Sequence, residues 1–397
     1  MDLQTRVNTL LNRAIEVRRQ LHQNPELSFQ EHATQAYLKE LLAEYGLSSC
    51  LQNTQHGLVY CLHSGVQIND TCLLLRADMD ALPIQEQTEL TFRSQNTNVM
   101  HACGHDVHMT VVAFTAIIMK QLTGTWQGTL KIIFQPGEEV LPGGASLMIQ
   151  EGVLENPRVT HAMAIHVQPS LITGTLGFCS GSYMASSDEL RFNIKGRGGH
   201  AALRQMLKDP VLAASELIVK LNERFQSKHN TIPTVLSIGR VEAAGATNVI
   251  PDQVHLEGTL RTRDELWRKQ AHEIIKDLVK SISDTHELEI DLDLRSGYPC
   301  LINDASFTHQ NFLAAQQILG LNKVVEVPPR MTAEDFSYFT QRVPSCFFRL
   351  GTGYASKENP EVHSPRFEVD EQSIYTGIFA LTSLCLNHFR LQQNIEG

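Results

Sequence analysis

The sequence predicts an α/β protein with a smaller α+β domain inserted into it, and three observations carry that prediction. Short, nearly unbroken apolar runs alternate with helical patterns in the first third of the chain. After Met184 the texture changes to half-exposed, period-two alternation. From Gly297 the first texture returns. The larger domain is therefore expected over 1–184 and 297–397, and the insert over 185–296.

Each element has its own signal. "ATQAYLKELLAEYG" has helical spacing and ends at Gly46, a residue suited to the left-handed turn that stops a helix. "TCLLLRA", "GTLKIIF" and "VTHAMAIHV" are apolar almost throughout, as strands covered on both faces must be. Helix-like stretches separate them, the alternation of an α/β sheet. Within the insert, "DELRFNIKGRGGH" reads as a half-exposed antiparallel strand, and "DPVLAASELIVKLNERF" as a helix with Pro210 in its first turn. The strands "TVLSIGRVEAA" and "DQVHLEGTLRT", the helix "ELWRKQAHEIIKDLVKSI" and the strand "LEIDLDLRS" follow. That β-α-β-β-α-β order is the split βαβ arrangement.

Composition narrows the function. A chain of 397 residues exceeds what one hydrophobic core usually organises, so two domains are the natural division. With 42% apolar and 19% charged residues it is an ordinary globular protein. A formal charge of −10 argues against a nucleic-acid partner, because phosphate binding needs the opposite sign. Residues 1–20 lack the apolar core of a signal peptide, and the longest apolar run, Thr110 to Met119, is too short to cross a bilayer. Eight cysteines stand without a Cys-x-x-Cys pair, which argues against a disulfide framework or zinc ribbon. A cytoplasmic protein with reduced thiols and no membrane partner is expected.

The stretch "MHACGHDVHM" carries three histidines, a cysteine and an aspartate immediately before an apolar helix. Thiolate and imidazole both suit zinc-like ions. Other ligand types fall where an open α/β sheet binds its ligands, beyond the carboxyl ends of strands. Asp78 and Asp80 follow "LLLRA", Glu138 and Glu139 follow "LKIIFQPG", His166 closes "AMAIH", and His363 sits in the loop "EVHSPRF". Cys103, His105, Glu139, His166 and His363 are more ligands than one structural ion takes, and enough for two ions sharing a bridging group. Glu138, beside the ligand Glu139, is the natural general base.

These residues resemble the amidohydrolase branch of the dinuclear metallopeptidases related to carboxypeptidase G, which includes hippurate hydrolases, N-acetyl-amino-acid deacetylases and auxin-conjugate hydrolases. The resemblance spans "RRQLHQNPELSFQE", "LLLRADMDALPIQE", "MHACGHDVHM", "FQPGEE", "GGASLMIQEG", "KGRGGHAA", "ATNVIPDQVHLEGTLRT", "AEDFSYF" and "EVHSPRFEVDE". It implies a mixed-sheet catalytic domain of the dinuclear-metal exopeptidase type, with the insert as a lid through which the chain forms a homodimer. It implies two divalent ions (Zn, Mn, Co or Ni) held by Cys103, His105, Glu139, His166 and His363, with Glu138 as base. Asp78 stands where the wider family has a ligand histidine, and Asp80 is implied to orient a ligand from behind. His200 is implied to stabilise the tetrahedral intermediate, in relatives often from the partner subunit, and Asn248 and Arg261 to meet the polar end of the substrate. One departure is that Arg204 and Gln205 replace the Pro-His commonly found after "HAAL".

The activity so implied is metal-dependent hydrolysis of the amide bond of an N-acyl amino acid, a small-molecule substrate. The alternatives are a dipeptidase or aminoacyl carboxypeptidase with the same machinery, and a non-catalytic metal- or peptide-binding protein. The adjacent Glu138–Glu139 pair weighs against the last, which needs no base beside its metal.

Overall fold

The computed structural model describes residues 1–48, 56–65, 71–226 and 231–395. They form two compact units, one of 1–181, 302–328 and 338–397, the other of 182–301 and 329–337.

The first unit is built on a seven-stranded mixed sheet, in the order Leu58–Ser64, Gly128–Gln135, Cys72–Asp78, His161–Ile172, Ser345–Gly353, Leu176–Phe178, Val324–Glu326. The four strands from Gly128–Gln135 to Ser345–Gly353 are mutually parallel, and Leu58–Ser64 runs antiparallel at one edge. Every residue of Cys72–Asp78 and Gly128–Gln135 is buried, which is why these stretches read as apolar runs without alternation. Lys131 is one of the few charged residues among them, and its ammonium donates to the carbonyls of Val153, Glu155 and Pro157, each at 2.8 Å.

Helix His105–Gln121 is buried continuously from His105 to Met119 and packs against helices Leu3–Gln23 and Gln372–Ile395. An all-round apolar helix belongs in such a place. His105 is its first residue, so the helix takes in the second half of "MHACGHDVHM" instead of starting after it, and Gly104 takes the left-handed conformation before it. The strand carrying His166 runs on to Ile172 rather than closing there. The reason is pairing: Cys72–Asp78 stops facing it at Ala164, whereas Ser345–Gly353 continues alongside. His166 still lies beyond Ala164, the last residue paired with Cys72–Asp78.

The second unit has a four-stranded antiparallel sheet in the order Glu289–Ser296, Asp188–Lys195, Gln253–Thr262, Thr234–Glu242. Helices Pro210–Phe225 and Glu265–His286 pack on it, capped by the Asp209 and Asp264 carboxylates. The stretch 329–337 belongs to this unit, with Arg330 N–H donating to Tyr183 O at 2.8 Å and Ala185 N–H to Thr332 O at 3.0 Å. "DELRFNIKGRGGH" is not one strand: it ends at Lys195, and Gly199–His200 forms a separate ladder with Val249–Ile250. A side chain at Gly196 would sit 2.1 Å from Lys208 O, and one at Gly198 2.2 Å from Ile250 O, so backbone crowding there needs glycine.

Candidate metal centre

Five expected ligands lie in the first unit and converge. One ligand atom each from Cys103, His105 and His166 falls within a mutual 4.8 Å, and the same holds for Cys103, Glu139 and His363, and for His105, Glu138 and Glu139. The first two sets share Cys103, and the third shares His105 with the first and Glu139 with the second.

Hydrogen bonds behind the site fix which atoms face it. His105 Nδ1–H donates to Asp80 O at 2.8 Å, and His166 Nδ1–H donates to Val167 O at 2.8 Å. Each ring is thereby held through Nδ1, leaving Nε2 as the nitrogen available to a metal. His166 Nε2 is 3.4 Å from Cys103 Sγ, while His105 Nε2 is buried without a hydrogen-bond partner. Glu139 Oε1 is also unpartnered by hydrogen-bond geometry, although His363 Nε2 lies 3.2 Å away. Buried polar atoms left without hydrogen-bond partners are what a bound cation would satisfy. His363 is held in place by its N–H, which donates to Ala102 O at 2.8 Å, and it adopts a left-handed φ of 66°. Its side chain is 50% exposed and marks the solvent side of the cluster.

Asp80 binds behind two ligands at once: besides its carbonyl on His105, its Oδ2 accepts Glu139 N–H at 2.9 Å and Ser28 Oγ–H at 2.7 Å. The electrostatics also call for a cation. Burial alone would lower His105, but Asp78, Asp80 and Glu139 outweigh it and push it up to about 10. Burial and the Glu139 and Glu138 charges push the Cys103 thiol well up. Such a cluster keeps its protons until a metal displaces them. His166 is pushed well down by burial, with Arg349 and His108 adding to it, and is therefore neutral.

The three histidines of "MHACGHDVHM" have separate fates. His105 faces the cluster. His108, three residues on along the same helix face, spends both nitrogens: Nδ1–H donates to Asp78 Oδ1 at 2.6 Å and Nε2 accepts Val167 N–H at 2.9 Å. Asp78 in turn is paired with Arg76, whose Nε–H donates to Gln135 Oε1 at 2.9 Å. The sequence reading missed this Arg76–Asp78–His108 chain, although the His-x-x-His spacing could have suggested it. His101 is fully buried, with burial pushing it down to about 4, and neither ring nitrogen has a partner among the described residues.

The remaining expected site residues lie in the second unit. His200 is exposed, and its Nδ1 accepts Ala202 N–H at 3.2 Å, which leaves Nε2 as the protonated, donating nitrogen. Asn248 is an exposed turn residue whose carbonyl accepts Ala201 N–H at 3.0 Å. Arg261 is half-buried on strand Gln253–Thr262, with Nη1 3.5 Å from Met331 O, and burial lowers its pKa. His200 and Asn248 are thus neighbours, while Arg261 stands on a different sheet. Arg204–Met206 forms an exposed single turn after His200.

Residues 74–387 match the model of peptidase family M20/M25/M40. The chain belongs to this family. It is 36% identical over 378 residues to the N-acetyldiaminopimelate deacetylase of Bacillus subtilis, covering 93% of this chain and 96% of the relative. It is 34% identical over 376 residues to that organism's N-acetyl-L-cysteine deacetylase, covering 94% and 88%. A Bacillus subtilis protein solved as a dinuclear metal-binding peptidase of the M20 family superposes with a TM-score of 0.82 at 31% identity, covering 96% of this chain and 99% of that one. The M20 chain is an enzyme, a metal-dependent amidohydrolase. Among the described residues no helix is long and apolar enough to cross a membrane.

Proposed function

We propose that the protein hydrolyses the amide bond of N-acyl amino acids, releasing a carboxylic acid and the free amino acid. The observation that carries this reading is the Glu138–Glu139 pair: Glu139 contributes to the donor set shared with Cys103 and His363, and Glu138 lies beside it, buried and within reach of the same space. Cys103, His105, Glu139, His166 and His363 would hold two divalent ions of the Zn, Mn, Co or Ni type, whose chemistry is to polarise the acyl carbonyl and acidify water. Glu138 takes the proton of the attacking water and delivers it to the leaving nitrogen. Asp80 keeps His105 and Glu139 aimed. His200 donates its Nε2–H to the oxyanion, and Asn248 and Arg261 receive the free α-carboxylate, for which a guanidinium offers a bidentate partner. The second unit acts as lid and as the interface of a cytoplasmic homodimer, and sedimentation as a monomer would remove that last element. Relatives named as deacetylases of N-acetylated amino acids, and an Arabidopsis thaliana relative named as an IAA-amino acid hydrolase, support an acyl–amino acid amide as substrate.

The test is a panel of N-acetyl amino acids, benzoylglycine, dipeptides and the methyl esters of each, assayed with metal-reconstituted protein. N-acyl amino acids should be cleaved fastest and their methyl esters far more slowly, the difference appearing in kcat/KM. Preference for dipeptides would make the enzyme a dipeptidase. Equal rates on acid and ester would remove carboxylate recognition.

A further inference from the structure

The stretch "NPELSFQE" lies outside the donor set, yet it forms the seat of the loop that carries Glu138. Gly137 N–H donates to Glu31 Oε1 at 2.8 Å, with the Glu31 side chain almost fully buried. On its other side Gly137, at φ 61°, lies against Phe29, whose ring carbons would be 2.4 Å from any added Cβ. Phe29 itself adopts a left-handed φ of 63°, unusual for a bulky residue, and this turns its ring under the loop. Gly137 O accepts Gly144 N–H at 3.1 Å. One residue past Glu138, Glu139 N–H is bound by Asp80, which also holds Ser28. The backbone on both sides of Glu138 is thus tied to residues 28–31, directly through Glu31 and indirectly through Ser28.

We propose that Glu31 is a positioning residue for Glu138, fixing the Gly137 peptide through its acceptor oxygen and so setting the direction in which the Glu138 carboxylate projects. Without that acceptor a glycine in the loop has wide conformational freedom, and Glu138 would sample orientations away from the water it must deprotonate. The burial of an acid at this point has a cost: burial, and then the Asp80 charge, push Glu31 up to about 7 against the pull of its backbone hydrogen bonds. The acceptor rather than the charge is the useful part, since a neutral carboxyl accepts Gly137 N–H through its carbonyl oxygen.

This inference rests on the reading of Glu138 as base, and its test separates the two. Glu31→Gln keeps an oxygen at the same reach, whereas Glu31→Asp keeps the acid but withdraws it by about 1.5 Å, one C–C bond. On the best N-acyl amino acid of the panel, metal-loaded Glu31→Gln should keep kcat within about twofold, and Glu31→Asp should lose about 10- to 100-fold in kcat. KM, metal content by elemental analysis and melting temperature should stay near wild type in both. If Glu31→Asp does not fold, Glu31→Ala, which removes the acceptor altogether, carries the same expectation. Wild-type turnover in the Asp or Ala variant overturns the proposal. So does an equal loss in Glu31→Gln, which would make charge the operative feature, or loss of metal together with activity. Glu138→Gln is measured in parallel. If it is inactive while Glu31→Asp is fully active, only the positioning role fails; if it turns over normally, the assignment of the base fails first.

Discussion

At the scale of residues, the metal centre depends on atoms that never face it. His105 and His166 are committed by backbone carbonyls to present Nε2, and Asp80 aligns one imidazole with one carboxylate. His108 does the same work at one remove, by holding the Val167 amide beside His166 and drawing on Asp78 for its tautomer. Outer partners of this kind are typically worth about 10- to 100-fold in metal affinity. His108→Leu should therefore weaken metal binding by that factor while leaving the five donors in place, as measured by competition with a chromophoric chelator. Wild-type affinity in the variant would reduce His108 to a packing residue. The donor types were legible in the sequence because few other chemistries gather cysteine, histidine and paired glutamates beyond strand ends. The role of His108 was not, because a buried histidine that spends both nitrogens on the fold looks the same in sequence as one that binds metal.

At the scale of elements, the strands buried on both faces announced themselves as apolar runs, and the amphipathic strands of the second unit by alternation. Crowding between backbones was less legible. The strand expected through "GRGGH" stops at Lys195 because Gly196 and Gly198 pass within side-chain distance of the Lys208 and Ile250 carbonyls, contacts remote in sequence. The turn into helix His105–Gln121 is a similar case. Gly104 has φ 81°, and a Cβ there would lie 2.5 Å from Val167 Cγ2. Gly104→Ala should lower stability by about 1–3 kcal/mol through strain and overpacking, seen as a lower denaturant midpoint with an unchanged slope. Because Val167 adjoins His166, metal content should fall with it. An unchanged midpoint would mean that the corner relaxes freely.

At the scale of the whole molecule, the second unit has its own buried ionic anchor. Asp188 accepts from His272 Nε2 at 2.7 Å, Arg268 Nε at 3.0 Å and Gly297 N–H at 3.1 Å, joining the first strand, the long helix and the exit of the unit. Burial works to raise this carboxyl, but the His272 and Arg268 hydrogen bonds outweigh it and hold it below its ordinary value. The folded state therefore binds this proton less readily than the unfolded chain. The stabilisation is complete above the unfolded value near pH 4 and fades as pH falls through the lower folded one. Asp188→Asn should cost about 3 kcal/mol at neutral pH and flatten the acid limb of the stability–pH curve, followed by circular dichroism. An acid limb identical to wild type would assign that pH dependence to other groups.

The claim on which the account turns is the division of labour between adjacent glutamates, and the most direct measurement is metal content alongside kcat for Glu138→Gln and Glu139→Gln. Glu138→Gln should retain its full metal complement and lose about 10²–10⁴-fold in kcat, the range for a missing general base, whereas Glu139→Gln should lose metal and activity together. Near-wild-type turnover in Glu138→Gln, or metal loss in Glu138→Gln with full occupancy in Glu139→Gln, would contradict it.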